Sequence, residues 1–395
     1  MTYTVVGGGL SGLVAAVALA REGEQVELFE HRSHLGGRGA SVTQDGFTFN
    51  FGPHAIYKNG LTYKTLQGWG IELAGGSPQL SSNSFAVADG RLYKLPVGAG
   101  SLFQCGYLNA FEKLDFGNSF RKLTALDPET VPGVTVDTWL AENVRTDKAR
   151  AMVLALVRLS TYSNAPEHLS LAASVYQLQL SGGGVVYLDG GWQSMIDALA
   201  GEAQRLGVHI RTGEVSAVRP NTILAVPPQE IERLTGVSLP KRRPARMACL
   251  DLGLTELPPG AALFALGVDQ PMYLSVHSQW AKLATRGKAL VQIGSCLRED
   301  EHCTRESLEA FADIAMPGWR DRIVHARFLP EMTVVHAITQ PEPRIAEDVL
   351  CSHPGLETVQ IAGDWVGSQG MLADACTASA LRAARGLLQA AGANH

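Results

Sequence analysis

Tyr3-Thr4-Val5-Val6-Gly7-Gly8-Gly9-Leu10-Ser11-Gly12 opens on a short β-branched run and stops at glycine. Residues 13–21 follow, rich in alanine and leucine and well suited to a helix. After a turn at Glu22-Gly23-Glu24, Gln25–Glu30 alternates apolar and polar side chains and ends on an acid. Strand, glycine turn, helix, strand and acid make a βαβ unit of about thirty residues, the setting in which a G-x-G-x-x-G turn binds a dinucleotide. Gly7 lets the chain leave the strand in a tight turn. Gly9, without a side chain, lets a pyrophosphate approach the backbone at the helix N-terminus, where free N–H groups and the dipole favour negative charge. Gly12 lets the helix pack closely on the sheet. Glu30 stands where a carboxylate accepts hydrogen bonds from both ribose hydroxyls, and it would repel a 2′-phosphate, so NADP is disfavoured. The unit alone does not separate NAD from FAD.

Outward from this unit, 395 residues exceed what one simple core serves and predict two domains. With 46% hydrophobic and 18% charged residues the chain is globular rather than disordered. Net charge is −5 and no basic tract appears, which argues against nucleic acid as a partner. Cys105, Cys249, Cys296, Cys303, Cys351 and Cys376 are scattered singly, as reduced thiols of a cytoplasmic protein are, and their spacing offers no metal site. The strand at the amino terminus leaves no room for a signal peptide. The longest uncharged stretch, 169–188, is too polar and glycine-rich to span a membrane, although peripheral membrane contact stays open. No feature of the chain sets an oligomeric state.

Past the acid come Leu35-Gly36-Gly37-Arg38 and Phe47-Thr48-Phe49-Asn50-Phe51-Gly52-Pro53-His54. At the far end, Thr358-Val359-Gln360-Ile361-Ala362-Gly363-Asp364 reads as a buried strand ending in glycine and acid, and an apolar helix begins at Met371 and runs to about Leu388. Between them lie Val185-Val186-Tyr187-Leu188-Asp189-Gly190-Gly191-Trp192, an amphipathic helix over 193–206, a strand pair over 208–218 turning at Gly213, and Ala225-Val226-Pro227-Pro228. These motifs together resemble the flavin amine oxidase and phytoene desaturase superfamily. The resemblance is specific over 1–54 and 358–388, moderate over 183–228, and covers about a third of the chain.

The resemblance implies an α/β fold: a Rossmann-like FAD-binding domain, discontinuous over 1–75, 183–228 and 356–391, with an α+β substrate domain inserted as 76–182 and 229–355. It implies FAD as cofactor. Gly36, Gly37 and Arg38 would lie against the pyrophosphate and ribityl chain, Val215 near the adenine, and Asp364 at the ribityl hydroxyls. The helix from Met371 would aim its N-terminus at the pyrimidine edge of the flavin. Leu10, Ser11, His31, Gly52, Pro53, His54, Gly363 and Leu372 complete the cofactor-binding set.

His54 is the candidate catalytic acid or base, with a histidine bonded to backbone beside the cofactor as the alternative. Residues 272–280 read as an alternating strand that places Tyr273 and His277 on a substrate pocket, or in the core. Trp365, after the cofactor aspartate, walls that pocket or packs. Cys376, inside the last helix, reads as a core thiol. Met371 departs from the amine oxidases, which carry an aromatic there, and Gly363-Asp364-Trp365 departs from the G-T-H-P-G pattern of bacterial phytoene desaturases.

The activity implied is oxidoreduction, as an oxidase or desaturase: hydride removal from a C–C or C–N position of a small, largely apolar or amine substrate, with electrons passing to oxygen or another acceptor. The alternatives are a non-redox flavin-dependent isomerase and an escort protein like the GDP-dissociation inhibitors.

Overall fold

Val5 pairs on one side with Leu28 and on the other with Ile223, which puts the first strand, Thr2–Val6, at the centre of a parallel sheet. A computed structural model describes residues 1–79 and 83–392; residues 80–82, inside the first predicted insertion, and 393–395 lie outside the described residues. The sheet runs His209–Thr212, Gln25–Glu30, Thr2–Val6, Thr222–Leu224, Val359–Ile361, every neighbour parallel. Strands distant in sequence are thus side by side, and their carboxyl ends share one edge. Helices Leu10–Arg21, Gln193–Arg205 and Leu372–Gly392 cover one face, burying Leu13, Val17, Ile196, Leu199 and Ala383 against Tyr3, Val5 and Leu28. On the other face Val6, Leu224, Ile231, Val359 and Ile361 form a second cluster. The parallel sheet buried on both sides is a Rossmann-like α/β architecture.

The strand pair expected over 208–218 is one strand only. His209–Thr212 lies at the edge of the sheet, and the chain leaves it at Gly213, with φ +148°. At that edge Glu27 binds Arg211 at 2.8 Å and Arg219 at 3.8 Å, so side chains rather than a further strand close the border.

A second, seven-stranded sheet runs Ile323–Val335, Ala245–Leu254, Ala289–Leu297, Met272–Ser275, Phe264–Gly267, Ser84–Ala88, Arg91–Lys94. Neighbours are antiparallel except Phe264–Gly267 with Ser84–Ala88, which are parallel. Segments on both sides of the sequence midpoint therefore build one layer. Residues of helices Asp147–Thr161 and Leu171–Gly182 pack on one side with Met247, Cys249 and Tyr273; helix Arg305–Ala315 covers the other with Leu308 and Phe311. The hairpin Ser41–Gln44/Phe47–Asn50, turning at Asp45-Gly46 with φ +54° and +83°, packs Phe47 and Phe49 with Leu290 of the second sheet, and its Thr48 N–H donates to the Leu283 carbonyl at 2.8 Å. The chain then turns into Phe51-Gly52-Pro53-His54 between the two layers. Among the described residues, no helix is long and apolar enough to cross a membrane.

Candidate functional site

The glycine turn sits at the carboxyl edge of the central strand. Gly7 has φ +106°, and a Cβ on Gly12 would lie 1.8 Å from the Gly7 carbonyl oxygen, so turn and helix touch backbone to backbone. In front of Gly9 there is room: the nearest atom to an added Cβ is the Gly36 oxygen at 3.7 Å. Gly9 caps helix Leu10–Arg21 without a side chain, leaving first-turn N–H groups to a ligand. The Gly36 N–H donates to the Gly8 carbonyl at 2.9 Å, which brings the G-G-R turn onto the first glycine turn.

Glu30 is buried. One carboxylate oxygen accepts the Gly8 N–H at 2.8 Å; the other accepts the Arg32 N–H at 2.9 Å and lies 3.0 Å from His31 Nδ1. A carboxylate has about four lone-pair sites; the two N–H groups take two and His31 faces a third, so at least one stays open to a hydroxyl donor.

Arg38 and Asp364 meet across the site. Arg38 Nη2 donates to Asp364 Oδ1 at 2.5 Å, and Nη1 to Oδ2 at 3.2 Å and to the Val334 carbonyl at 2.5 Å. The His336 N–H donates to Oδ2 at 2.7 Å. Burial of Asp364, 2% exposed, opposes its ionisation, but the Arg38 guanidinium outweighs it and holds the carboxyl below its usual range. Arg344 completes the loop by donating to the Asp364 carbonyl at 3.0 Å and the Gly370 carbonyl at 2.7 Å. The closing helix begins at Leu372, one residue later than expected, and Leu372 takes φ +54°, a costly conformation for leucine held by the packing of Met371 and Leu372 onto the second sheet.

Beside this, the Asn50–His54 turn is held from below by one polar row. Asp251 faces Arg327 on one neighbouring strand and Gln292 on the other, and Gln292 faces Ser275. Arg327 Nε donates to Asp251 Oδ2 at 2.9 Å and its Nη2 to the Asn50 carbonyl; Gln292 Nε2 donates to Asp251 Oδ1 at 2.9 Å and to the Gly52 carbonyl at 3.3 Å. Burial pushes the Asp251 carboxyl up despite Arg327. His54 Nδ1 donates to the same Gly52 carbonyl at 2.8 Å, the ring lies 4.5 Å from that of Trp192, and it approaches the Arg38 carbonyl as well. Burial pushes its pKa down to about 4, so it is neutral near pH 7. The neutral ring has one N–H, which it gives to the Gly52 carbonyl of its own turn.

Tyr273 lies on the strand Met272–Ser275, but His277 lies beyond it. The strand ends at Ser275, and a 3₁₀ turn, His277–Gln279, follows; the irregularity swings His277 under Tyr187, ring on ring at 3.9 Å. Met371 packs in the same cluster as Tyr273. Trp365 does not join them: it is buried against Val6, Leu224, Ile345 and Val359 on the far face of the parallel sheet, because the chain reverses after Asp364. Cys376 has its thiol pushed up to about 11 by burial, beside Ser11. Val215 lines a cavity of about 150 Å³ with Thr4, Val6, Phe29 and Val218, on that same far face. Sequence reasoning missed Arg344 and the Asp251–Gln292–Arg327 row. Only Tyr187 and Trp192, flanking the Asp189-Gly190-Gly191 block, carried a local signal.

A family described as the NAD(P)-binding Rossmann-like domain matches residues 5–67. The amino-terminal unit is thus similar to an NAD(P)-binding Rossmann-like domain. This Rossmann-like domain is 49% identical over 56 residues to a 4,4'-diapophytoene desaturase of Staphylococcus haemolyticus, a stretch spanning 14% of this chain and 11% of the desaturase's length. Around the Rossmann-like domain, the whole fold matches an oxidoreductase from Methanosarcina mazei, with TM-score 0.73 and 17% identity over 97% of this chain and 99% of the other. It also matches cyclohexylamine oxidase from Brevibacterium oxydans, with TM-score 0.71 and 15% identity over 99% of both chains. At these identities the likeness is one of fold.

Proposed function

We propose that the chain is an FAD-dependent oxidoreductase, an oxidase or desaturase that removes a hydride from a C–C or C–N position of a small, largely apolar or amine substrate. The observation that carries this reading is the convergence of Arg38 and Asp364 in front of the uncapped Gly9–Gly12 turn, with Glu30 at the end of the next strand. The donor set suits the cofactor piece by piece. First-turn N–H groups and Arg38 meet the pyrophosphate, the spare lone pairs of Glu30 take ribose hydroxyls, and Asp364 takes ribityl hydroxyls. Bound flavin supplies the hydride acceptor; the protein supplies everything around it.

Within that frame, the helix from Leu372 offers N–H groups to the charge that builds on the pyrimidine edge, an effect of roughly 0.3–2 kcal/mol. His54 holds the Gly52 turn and does not take a proton. Buried aromatic side chains, Tyr187, Tyr273 and Trp192, exclude water from the face beyond Gly52. Electrons pass on to oxygen or another acceptor.

Six cysteines without a disulfide suit a reducing, cytoplasmic compartment. Phe103, Phe111 and Leu114, 82%, 56% and 62% exposed on helices Ala99–Gln104 and Ala110–Thr124, support peripheral contact with a membrane surface. The test is oxygen uptake or dye reduction by the flavin-loaded protein across amines and polyenes. Turnover with reduction of an acceptor supports the reading, whereas rearranged product without net acceptor consumption contradicts it.

A further inference from the structure

The last strand hands over to the closing helix through residues 364–371, and one guanidinium holds both ends of that crossing. Arg344, on the segment after strand Ile323–Val335, is 9% exposed. Its Nη1 donates to the Asp364 carbonyl at 3.0 Å and its Nη2 to the Gly370 carbonyl at 2.7 Å. The backbone beside it follows the same path. Ile345 bridges Val366 in parallel, the Gly367 N–H donates to the Ile345 carbonyl at 2.8 Å, and the Ile361 N–H donates to the Glu347 carbonyl at 2.8 Å. A second arginine, Arg382, is exposed and meets the crossing from outside, at the side chains of Ser368 and Gln369, 3.3 and 3.5 Å away.

A trans peptide points its C=O and its N–H in opposite directions. The Gly370 carbonyl turned towards Arg344 therefore turns the Met371 N–H away from it, and that N–H has no backbone acceptor among the described residues. It stands directly before helix Leu372–Gly392, whose own first N–H groups have no partner within the helix. Gly367 and Gly370, at φ +74° and +71°, give the crossing other paths to take, so the bonds made to it decide which way those groups face. Arg344 suits the task because its planar fork meets two carbonyls in one geometry. Burial opposes its charge while Asp364 and Glu347 favour it, and an arginine stays cationic near neutral pH.

We propose that Arg344 is a positioning residue that, by bridging the Asp364 and Gly370 carbonyls, sets the amino end of helix Leu372–Gly392 against the pyrimidine edge of bound flavin and makes that flavin easier to reduce. The proposal rests on the oxidoreductase reading for the place of the flavin. One side chain then couples the residue assigned to the ribityl hydroxyls with the N–H groups that meet the charge gained on reduction. A helix end aimed at that charge shifts an equilibrium constant by up to about thirtyfold, and a misaimed one forfeits part of this.

The test equilibrates the flavin-loaded protein with a redox dye of known potential and reads, from the absorption bands, the equilibrium constant for reduction of the flavin by the dye. Flavin content and thermal midpoint are measured beside it. Per bound flavin, Arg344→Gln should lower the constant at least about fivefold, whereas Arg382→Gln, which removes a nearby exposed cation, should change it less than about twofold. A lower thermal midpoint with the constant unchanged marks an arginine of structural role alone and overturns the proposal. An equal fall in both variants also overturns it, because overall charge rather than the carbonyl bridge would then be the cause. Should Arg344→Gln fail to fold or lose its flavin, Arg344→Lys keeps the charge without the planar fork: a constant at least about threefold below the parent supports the proposal, and one equal to the parent overturns it. Parent protein that takes up no flavin is a separate result, which overturns the oxidoreductase reading and this proposal with it.

Discussion

Arg38 and Asp364, 326 positions apart, close a two-bond ion pair in which Nη2 and Oδ1 are 2.5 Å apart. One comes from the G-G-R turn after the second strand and the other from the end of the last strand of the parallel sheet. Their meeting joins the two chain ends over the uncapped helix N-terminus. Asp364 is almost wholly buried, so each partner depends on the other. Arg38→Ala should cost about 3 kcal/mol of stability, because the buried Asp364 loses its partner, whereas Asp364→Ala leaves a guanidinium 39% exposed to solvent and should cost less. The double variant should cost less than the two together. All three should hold less than a tenth of the flavin of the parent, as measured by absorbance after gel filtration beside chemical denaturation.

Two glycines within six residues of the first strand should behave in opposite ways. Gly12→Ala forces a Cβ to 1.8 Å from the Gly7 carbonyl and should lower stability by more than about 4 kcal/mol or abolish folding. Gly9→Ala meets no protein atom closer than 3.7 Å, so its stability should change by less than about 1 kcal/mol. Flavin affinity should still fall at least tenfold, since the methyl occupies the approach to the helix N-terminus. Calorimetry with flavin titration separates the two; a flavin-replete Gly9→Ala protein would contradict the cofactor assignment.

Two histidines, His277 buried and His54 partly so, shape the acid side of the stability profile. His54 and His277 are lowered by burial to about 4 and about 3, against 6.5 when unfolded. Below pH 6.5 the unfolded chain binds protons that the folded chain refuses, so stability is fully present above that pH and falls as pH drops towards 4 and 3. Each histidine should account for about 1.4 kcal/mol of loss at pH 5.5 relative to pH 7.5. Urea denaturation at the two pH values should show the drop, and His54→Gln with His277→Gln should shrink it by about 3 kcal/mol.

The polar row beneath the Gly52 turn makes a fourth prediction. Arg327→Met leaves Asp251 buried without its cation and should cost about 3–5 kcal/mol, whereas Arg327→Met combined with Asp251→Leu should recover most of the loss. Denaturation midpoints of the parent, the single and the double variant check this; a double variant no more stable than the single would contradict the pairing.

What could be read without the structure was local. Gly7, Gly9, Gly12 and Glu30 fall within one βαβ unit, where each residue's task follows from its position along thirty residues of chain. Arg38 and Asp364 were legible as motifs, but their direct pairing was not, since it depends on where the last strand enters the sheet. The row of Arg327, Asp251 and Gln292 exists only through antiparallel register between three strands, and no spacing announces it. His277 was read onto a strand because 272–280 alternates, but the strand ends at Ser275 and the turn places the ring. Trp365 stood next to a cofactor residue in sequence, yet the chain reverses after Asp364 and buries it on the opposite face.

The measurement with most at stake is the visible absorbance spectrum of the purified protein, with analysis of the compound released by heat. The site built from Gly9, Glu30, Arg38 and Asp364 predicts two flavin bands and about one equivalent of released FAD per chain. A protein that is colourless, and remains colourless after incubation with FAD and removal of the excess, would contradict it.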